Sequence, residues 1–533
     1  MSSETADVLI IGAGASASAF AWSLADTRMR IVCLEQGDWV NPADYPSHDK
    51  DWESDPRFNS NPNQRANAAD YPINCDDSPI SIANYNGVGG GTILFAGHFP
   101  RFHPSDFKVR QLDGVAVDWP IDYATLEPFY DVNDKMMGVS GLAGDPAYPP
   151  KSAPMPPIPL GRSGETLAQG FNQLGWHWWP SDMAIATQTY DGRDRCINLG
   201  ACGQGCAQGA KGSTDITYWP HAQRAGVELR TQCRVREITV DKDGRATGAV
   251  YYDSEGKEQF QAAEMVVMAC NGIGTPRILL NSTSAQFPDG LANSSGELGR
   301  NLMLHPYATV DGIFDQPVDG AKGPLKCVAS HEFYETDLSR GFVRGFSFET
   351  QRGYGPVATG LLGVAAGRIP KGRGHHAAYR KLSERMLSLV AVCEDLPEPH
   401  NTVTLDPSRC DAHGIPAAKV DYRLSDNSHK MLNFAVARGA EVMRAAGAVD
   451  VIETKLLKNA GWHNMGTARM GTDPNTSVVN EWGRCHDVKN LFVIDGSIFV
   501  TSAGVNPTRT IQALALYIAE QIKHRLASAT LFD

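Results

Sequence analysis

Nowhere does the chain offer eighteen consecutive apolar residues, about the length needed for a helix to cross a bilayer. The nearest stretch, around Ala358–Ala366, is short and broken by glycine. Positive charge is not in excess: 48 Lys and Arg stand against 60 Asp and Glu, a formal net charge of −12 at pH 7. That balance argues against nucleic acid and anionic membranes as partners. The start "MSSETADVLIIGAG" lacks a basic segment, and its apolar run reads as a strand, so this chain is expected to carry no export signal of its own. The eleven cysteines are an odd number spread over 533 residues, which is not a disulfide framework. Internal repeats and low-complexity tracts are also missing.

What is present is ordinary for a globular protein, with 42% hydrophobic and 20% charged residues. The length suits two to four domains' worth of chain and a sizeable core. The first 40 residues read as strand, turn, helix and strand. "ADVLIIGAG" is an apolar run ending in glycine, "ASASAFAWSLADT" is small and helical, and "RIVCLEQG" is a second apolar run. Gly12, Gly14 and Ala17 form a G-x-G-x-x-A turn, with Ala15 and Ser16 opening the helix. Gly12 allows the tight bend, Gly14 lets a pyrophosphate approach the backbone, and Ala17 permits close helix–strand packing. The helix N-terminus then holds the phosphates. Glu35, at the end of the second strand with Gln36 beside it, stands where an acid bonds ribose hydroxyls.

Further along, residues 43–80 form a long polar excursion. "NGVGGGT" (86–92), with Gly89, Gly90 and Thr92, suits backbone packing against a flat ligand. Residues 142–160 hold seven prolines and read as extended. From Val227 to Met268 the pattern is a strand meander, followed by "ACNGIGTPRILLNS", a strand–turn–helix with Asn271 at its turn. Residues 310–455 read as a separate mixed α/β block. "NLFVIDGSIFV" gives a strand and turn. "NPTRTIQALALYIAEQIKHRL" gives a helix with Pro507 at its first position and Ile511, Leu514, Ala515, Ile518 and Ile522 on one face. Because dinucleotide-type elements lie at both ends of the chain, the domains are expected to interleave.

One histidine sits in an unusual place. "GWHNMGTARMG" (461–471) sets His463 in a loop of small residues. Alone, it reads equally well as a loop residue bonding a carbonyl. Asn506, just before Pro507, reads alone as a helix cap. Together with the glycine turn they are more specific, and the family likeness given next implies a chemistry for them, the oxidation of an alcohol. Oxidising an alcohol removes a proton from oxygen and a hydride from carbon. An imidazole with an ordinary pKa of about 6.5 takes a proton near neutral pH, and a carboxamide donates to the developing alkoxide.

Taken together, these stretches make the sequence resemble the glucose–methanol–choline (GMC) family of FAD oxidoreductases over nearly its whole length. The likeness rests on the glycine turn with Glu35, "GVGGGT", "NGIGTPRILLNS", "GWHNMGTARMG" and "NLFVIDGSIFVTSAGVNPTRTIQALA". "DWPIDYATLEPFYDVNDKMMGVSG" (118–141) is similar to a stretch of the bacterial sugar-dehydrogenase and pyranose-oxidase branch. The resemblance implies an α/β fold with a Rossmann-type FAD-binding domain (1–112, 190–312 and 456–533). It is interleaved with a mixed-sheet α+β substrate-binding domain (113–189 and 313–455). His463 matches the family's active-site histidine, and Asn506 its His or Asn partner. Asp495 and Gly496 match the segment at the FAD pyrophosphate, and Val235 the strand that meets the adenine. Gly12, Gly14, Ala15, Ser16, Ala17, Glu35, Gln36, Gly89, Gly90, Thr92, Asn271, Pro507 and Thr508 complete the cofactor set. The helix after Pro507 would aim its positive end at the flavin's pyrimidine edge. Asn464 stands where the family loop commonly has proline. Leu94 stands where covalent members link a histidine to the flavin, which implies non-covalent FAD, with His98 four residues beyond.

"CINLGACGQGC" places Cys196, Cys202 and Cys206 in a glycine-rich loop. The spacing is similar to the three-cysteine motif of GMC sugar dehydrogenases, which implies an iron–sulfur cluster. Packed thiols or a local disulfide explain it as well. The tryptophans of "GWHWWP" (175–180) read as core, His305 as structural, and Lys211 and Ser213 as neighbours of the flavin's dimethyl edge. The expected activity is FAD-dependent oxidation of a CH–OH group of a sugar, glycoside or polyol, with hydride passing to flavin N5. An aromatic alcohol is the alternative, and a non-redox lyase the rival class. The expected acceptor is O2 or a cytochrome and small-subunit partner. The expected location is cytoplasmic, or periplasmic if a partner carries the chain out.

Overall fold

Apolar side chains dominate Ala6–Ile11, and Val8, Leu9, Ile10 and Ile11 are all buried. A run without polar alternation suits a strand covered on both faces. In the computed structural model, which describes residues 5–45, 53, 70–146, 148–352, 355–528 and 530–531, this strand is central to a seven-stranded sheet. It pairs in parallel with Ile31–Leu34 on one side and with the Ala263–Met268 half of Glu258–Met268 on the other. Glu228–Arg230 and Leu491–Val493 extend the parallel part. The first half of Glu258–Met268 instead pairs antiparallel with Ala246–Tyr252, and that strand with Arg234–Val240. One long strand therefore belongs to both the parallel layer and the expected meander.

The helix Ala15–Leu24 packs against the C-terminal helix Thr508–Ala527, so the two ends of the chain meet. The C-terminal helix is buried well beyond the one face its periodicity marks: Arg509, Gln512, Leu516 and Tyr517 are buried too.

The second sheet has six strands, ordered Asp450–Thr454, Tyr307–Ile313, Met386–Cys393, Phe346–Gln351, Val328–Ser330 and Trp179–Pro180, and every pairing is antiparallel. Its two faces differ in character. Val310, Phe348, Leu389 and Ala391 pack on the helices Gly161–Leu174 and Asp426–Ala445 through Leu167, Phe171, Met431 and Val436. The alternate residues Tyr307, Thr309, Val390 and Gln351 face a cavity between the two sheets. A small mixed sheet joins Thr402–Cys410 and Pro416–Asp421 to Ile73–Asp77. That last strand rises from the 43–80 excursion, of which residues 46–52 and 54–69 lie outside the described residues.

Candidate active site

The glycine turn is built as its residues require. Gly12 has φ +94°, and a Cβ there would meet the Ala269 carbonyl oxygen at 2.8 Å. Gly90 has φ +51°, and its Cβ would meet the Cα of Gly14 at 2.8 Å, so the two glycine clusters pack backbone to backbone. Gly12, Gly14, Ala15, Ser16, Glu35, Gln36, Gly90, Thr92, Val235, Asn271, Asp495, Gly496, Pro507 and Thr508 all line one cavity of about 520 Å³, together with His463 and Asn506. Two expected residues stand behind it. Ala17 is fully buried under the turn, and Gly89 carries the αL bend whose carbonyl accepts the Thr92 hydroxyl at 2.6 Å.

Glu35 faces the cavity and also braces the turn, since Oε2 accepts the Ala13 N–H at 2.8 Å and Oε1 the Gly37 N–H at 2.7 Å. Asp495 accepts from Asn271 N at 3.0 Å, Thr275 Oγ1 at 2.6 Å and Ser497 N at 2.9 Å. Beside Val235, Arg234, Arg277 and Tyr71 also line the cavity, with the Arg277 guanidinium 4.7 Å from the Tyr71 ring centre; sequence reading passed over all three. Asn464 donates from Nδ2 to Asn84 at 2.9 Å, while its buried Oδ1 has no partner among the described residues and sits in the cavity wall. An unmatched acceptor there, with a glycine cradle at the other end, fits a dinucleotide whose ring carries N–H groups.

The His463 loop needs no proline, because backbone bonds pin it. Gly461 N reaches Ser81 O at 3.1 Å, Met465 N reaches Met303 O at 3.2 Å, and Gly466 N reaches Gly496 O at 3.1 Å. His463 Nδ1 lies 2.8 Å from His305 Nδ1, and the Tyr307 hydroxyl lies 3.2 Å from the same atom. The His305 Nε2 faces two carbonyls, Ala503 O at 2.7 Å and Ser502 O at 3.1 Å, so it must carry the hydrogen. Burial pushes the His305 pKa down to about 4, which keeps it neutral. Its Nδ1 is then an acceptor, and His463 Nδ1 is the donor. That leaves the His463 Nε2 lone pair unprotonated. Burial, with His305 adding to it, also holds the His463 pKa well below the usual value. His305 thus holds the base in one tautomer, and its own backbone sits in the left-handed region at φ +41°.

Asn506 is not a helix cap. Pro507 occupies the cap position, the helix starts at Thr508, and no side chain caps it. The Asn506 Oδ1 lies 2.9 Å from His98 Nδ1, which also lies 2.9 Å from Glu349 Oε1. Burial pushes the Glu349 carboxyl up, but His98 and Lys326 outweigh it and hold it below the usual range. Facing a carboxylate, His98 Nδ1 carries the hydrogen, so the Asn506 oxygen is its acceptor and the Asn506 Nδ2 is left for the cavity. In the sequence His98 stands out only as a neighbour of Leu94, and spacing does not reveal its part here.

Other expectations are corrected. The Lys211 Nζ does not line the cavity; it donates to the carbonyls of Cys202 at 2.6 Å, Ile93 at 2.7 Å and Phe95 at 2.9 Å and so ties the cysteine loop to the second glycine cluster. Ser213 does not line it either. The tryptophan run does belong to the core: Trp179 is buried in a strand, and Trp176 and Trp178 pack partly buried against the same apolar cluster as the Gly161–Leu174 helix. Cys196, Cys202 and Cys206 are free thiols in one loop. Burial pushes Cys196 up to about 11 and Cys202 above its ordinary value. Among the described residues no group of three or more His, Cys, Asp or Glu is arranged to hold a metal ion, so the three thiols as they stand do not form a ligand set.

The cradle, the lone-pair imidazole and the carboxamide on the same cavity define a class, the dinucleotide-dependent oxidoreductases of alcohols. Family models described as GMC oxidoreductase match residues 6–307 and 397–515, and the chain belongs to that family. It is 40% identical to 2-methyl-1,2-propanediol dehydrogenase of Mycolicibacterium austroafricanum, over 99% of this chain and 96% of that protein. It is 29% identical to the fructose dehydrogenase large subunit of Gluconobacter japonicus, over 99% of each. In fold it matches a formate oxidase of Aspergillus oryzae at TM-score 0.63 and 14% identity, over 99% of this chain and 100% of that one. It also matches a pyridoxine 4-oxidase from Mesorbium loti at TM-score 0.61 and 17% identity, over 98% and 99%. The chain is an FAD-binding oxidoreductase that acts on CH–OH groups.

Proposed function

We propose that His463 is the base that takes the hydroxyl proton of a polyol, diol or sugar substrate, and that Asn506 holds the same oxygen. The observation that supports this most is the pairing of a bare Nε2 with a free carboxamide Nδ2 on one cavity. When bound, FAD supplies the acceptor for the hydride. The chain's part is to orient the carbinol, take its proton at Nε2 and stabilise the alkoxide at Asn506. Gly12, Gly14, Ser16, Glu35, Val235, Asp495, Pro507 and Thr508 would hold the cofactor, and the positive end of the 508–527 helix favours negative charge on the ring. The relative named for a small diol supports an aliphatic polyol over an aromatic alcohol.

Non-covalent attachment is part of the reading, because Leu94 lines the cavity and His98 Nδ1 is engaged with Asn506 and Glu349. The FAD-binding and substrate-binding stretches are proposed with the bounds expected above, although Tyr307–Ile313 pairs within the second sheet and Ile73–Asp77 pairs with Pro416–Asp421. The acceptor is O2 or a partner subunit, as the relative named as a large subunit suggests, with the chain in the cytoplasm or carried to the periplasm. An iron–sulfur cluster on Cys196, Cys202 and Cys206 rests on their spacing alone, and no step here passes through it.

Anaerobic mixing of the purified holoenzyme with diols, sugars and benzyl alcohol tests the reading. Its visible spectrum also reads any iron–sulfur shoulder. Bleaching of the flavin band by an aliphatic polyol, faster than by benzyl alcohol, is expected. A band that no alcohol bleaches, with carbon–carbon cleavage instead, would mark a lyase.

A further inference from the structure

Four polar side chains stand in line behind the substrate end of the cavity. Lys326 Nζ lies 3.0 Å from Glu349 Oε2, Glu349 Oε1 lies 2.9 Å from His98 Nδ1, and that atom lies 2.9 Å from Asn506 Oδ1. The Lys326 side chain is 6% exposed and that of Glu349 0%. Strand pairing explains the placement. Glu349 stands opposite Val390, which stands opposite Thr309, so all three project from one face, and Lys326 comes from the segment entering Val328–Ser330. Lys326, Thr309 and Gln351 line the cavity, whereas Glu349 does not.

An ammonium has three N–H donors. Among the described residues Glu349 is the one ion-pair partner of Lys326, so at least two donors are left for the cavity. A buried donor left unmatched costs free energy, and a substrate oxygen removes that cost. The reacting hydroxyl does not need Lys326, since His463 and Asn506 already receive it. The charge balance selects the kind of oxygen. Glu349 neutralises Lys326, so a substrate carboxylate would bring an uncompensated anion into a buried site, whereas a neutral hydroxyl brings none.

The geometry points to a second-oxygen subsite: Lys326, with Thr309 and Gln351 on the same side, holds a further hydroxyl close to the reacting carbon, so that polyhydroxy alcohols are preferred over simple alcohols and hydroxy acids. This rests on the alcohol-oxidation reading above.

Anaerobic stopped-flow reduction of the holoenzyme by 1,2-propanediol, 1-propanol and lactate tests the subsite. The diol is expected to exceed both in rate over Kd by roughly tenfold or more. Lys326→Met should bring the diol-to-propanol ratio close to one. Lys326→Met combined with Glu349→Gln, which leaves no lone buried carboxylate, should do the same. A wild-type ratio near one, a ratio that survives in both variants, or lactate matching the diol would overturn the subsite. Wild-type flavin reduced by no alcohol would overturn the parent reading instead.

Discussion

His305 bonds two carbonyls through Nε2 and gives its remaining nitrogen to His463, so one residue decides which nitrogen of the base is free. If it is a positioning residue, His305→Phe leaves FAD bound but lowers the limiting rate of flavin reduction by about ten- to a hundredfold. His305→Gln, which returns an acceptor oxygen, should recover part of that loss; a merely structural role gives no such recovery. The pH dependence follows from burial. His463 stays neutral until well below pH 6.5, so the wild-type reduction rate should be flat above 6.5 and fall only on the acid side. His305 adds to acid sensitivity. Its pKa is about 4 when folded and about 6.5 when unfolded, so between those values the unfolded chain binds the extra proton. Its contribution is fully present above pH 6.5 and is lost as the pH falls toward 4, about 3 kcal/mol in all. Neither the His305 link nor the His98 orientation was legible in the sequence. Each depends on residues 158 and 408 positions apart meeting through a fold, and nothing local marks them.

At the scale of elements, the C-terminal helix sets the site because its first turn is anchored by charge. Arg509 donates from Nε to Asp134 at 2.6 Å and from Nη1 to Phe99 O at 2.6 Å and Asp182 at 3.0 Å, all buried. Arg509→Met leaves two carboxylates short of a partner at the helix that carries Pro507 and Thr508. The expected cost is about 3–5 kcal/mol, read as a lower thermal midpoint of the holoenzyme and easier loss of FAD. An unchanged midpoint and flavin content would contradict the anchoring role. The glycine turn, the meander and this helix were legible because each carries a local signal: a steric need for glycine, alternation, or helical periodicity. The helix's burial beyond one face was not, since Arg509 and Gln512 look solvent-facing until Asn133, Asp134 and Met137 of the Tyr123–Met137 helix meet them. The second sheet was legible only as a mixed block. Its face toward the cavity alternates Tyr307 with Thr309, a period-two signal whose meaning depends on which side the flavin sheet lies.

In the molecule as a whole, two distant segments, 461–471 and 505–508, line one cavity together with a dinucleotide cradle made from residues 12–16. Sequence motifs named the segments, and the fold supplies the tautomer, the carboxamide orientation and the lysine pair behind them. The direct measurement is anaerobic stopped-flow flavin reduction of His463→Ala beside the wild type, with a polyol that reduces the wild type. The expected result is a variant that keeps its FAD and its fold while the rate falls by at least about a hundredfold. Reduction within a few fold of wild type, with FAD equally bound, would show that the proton leaves by another route and that His463 is not the base.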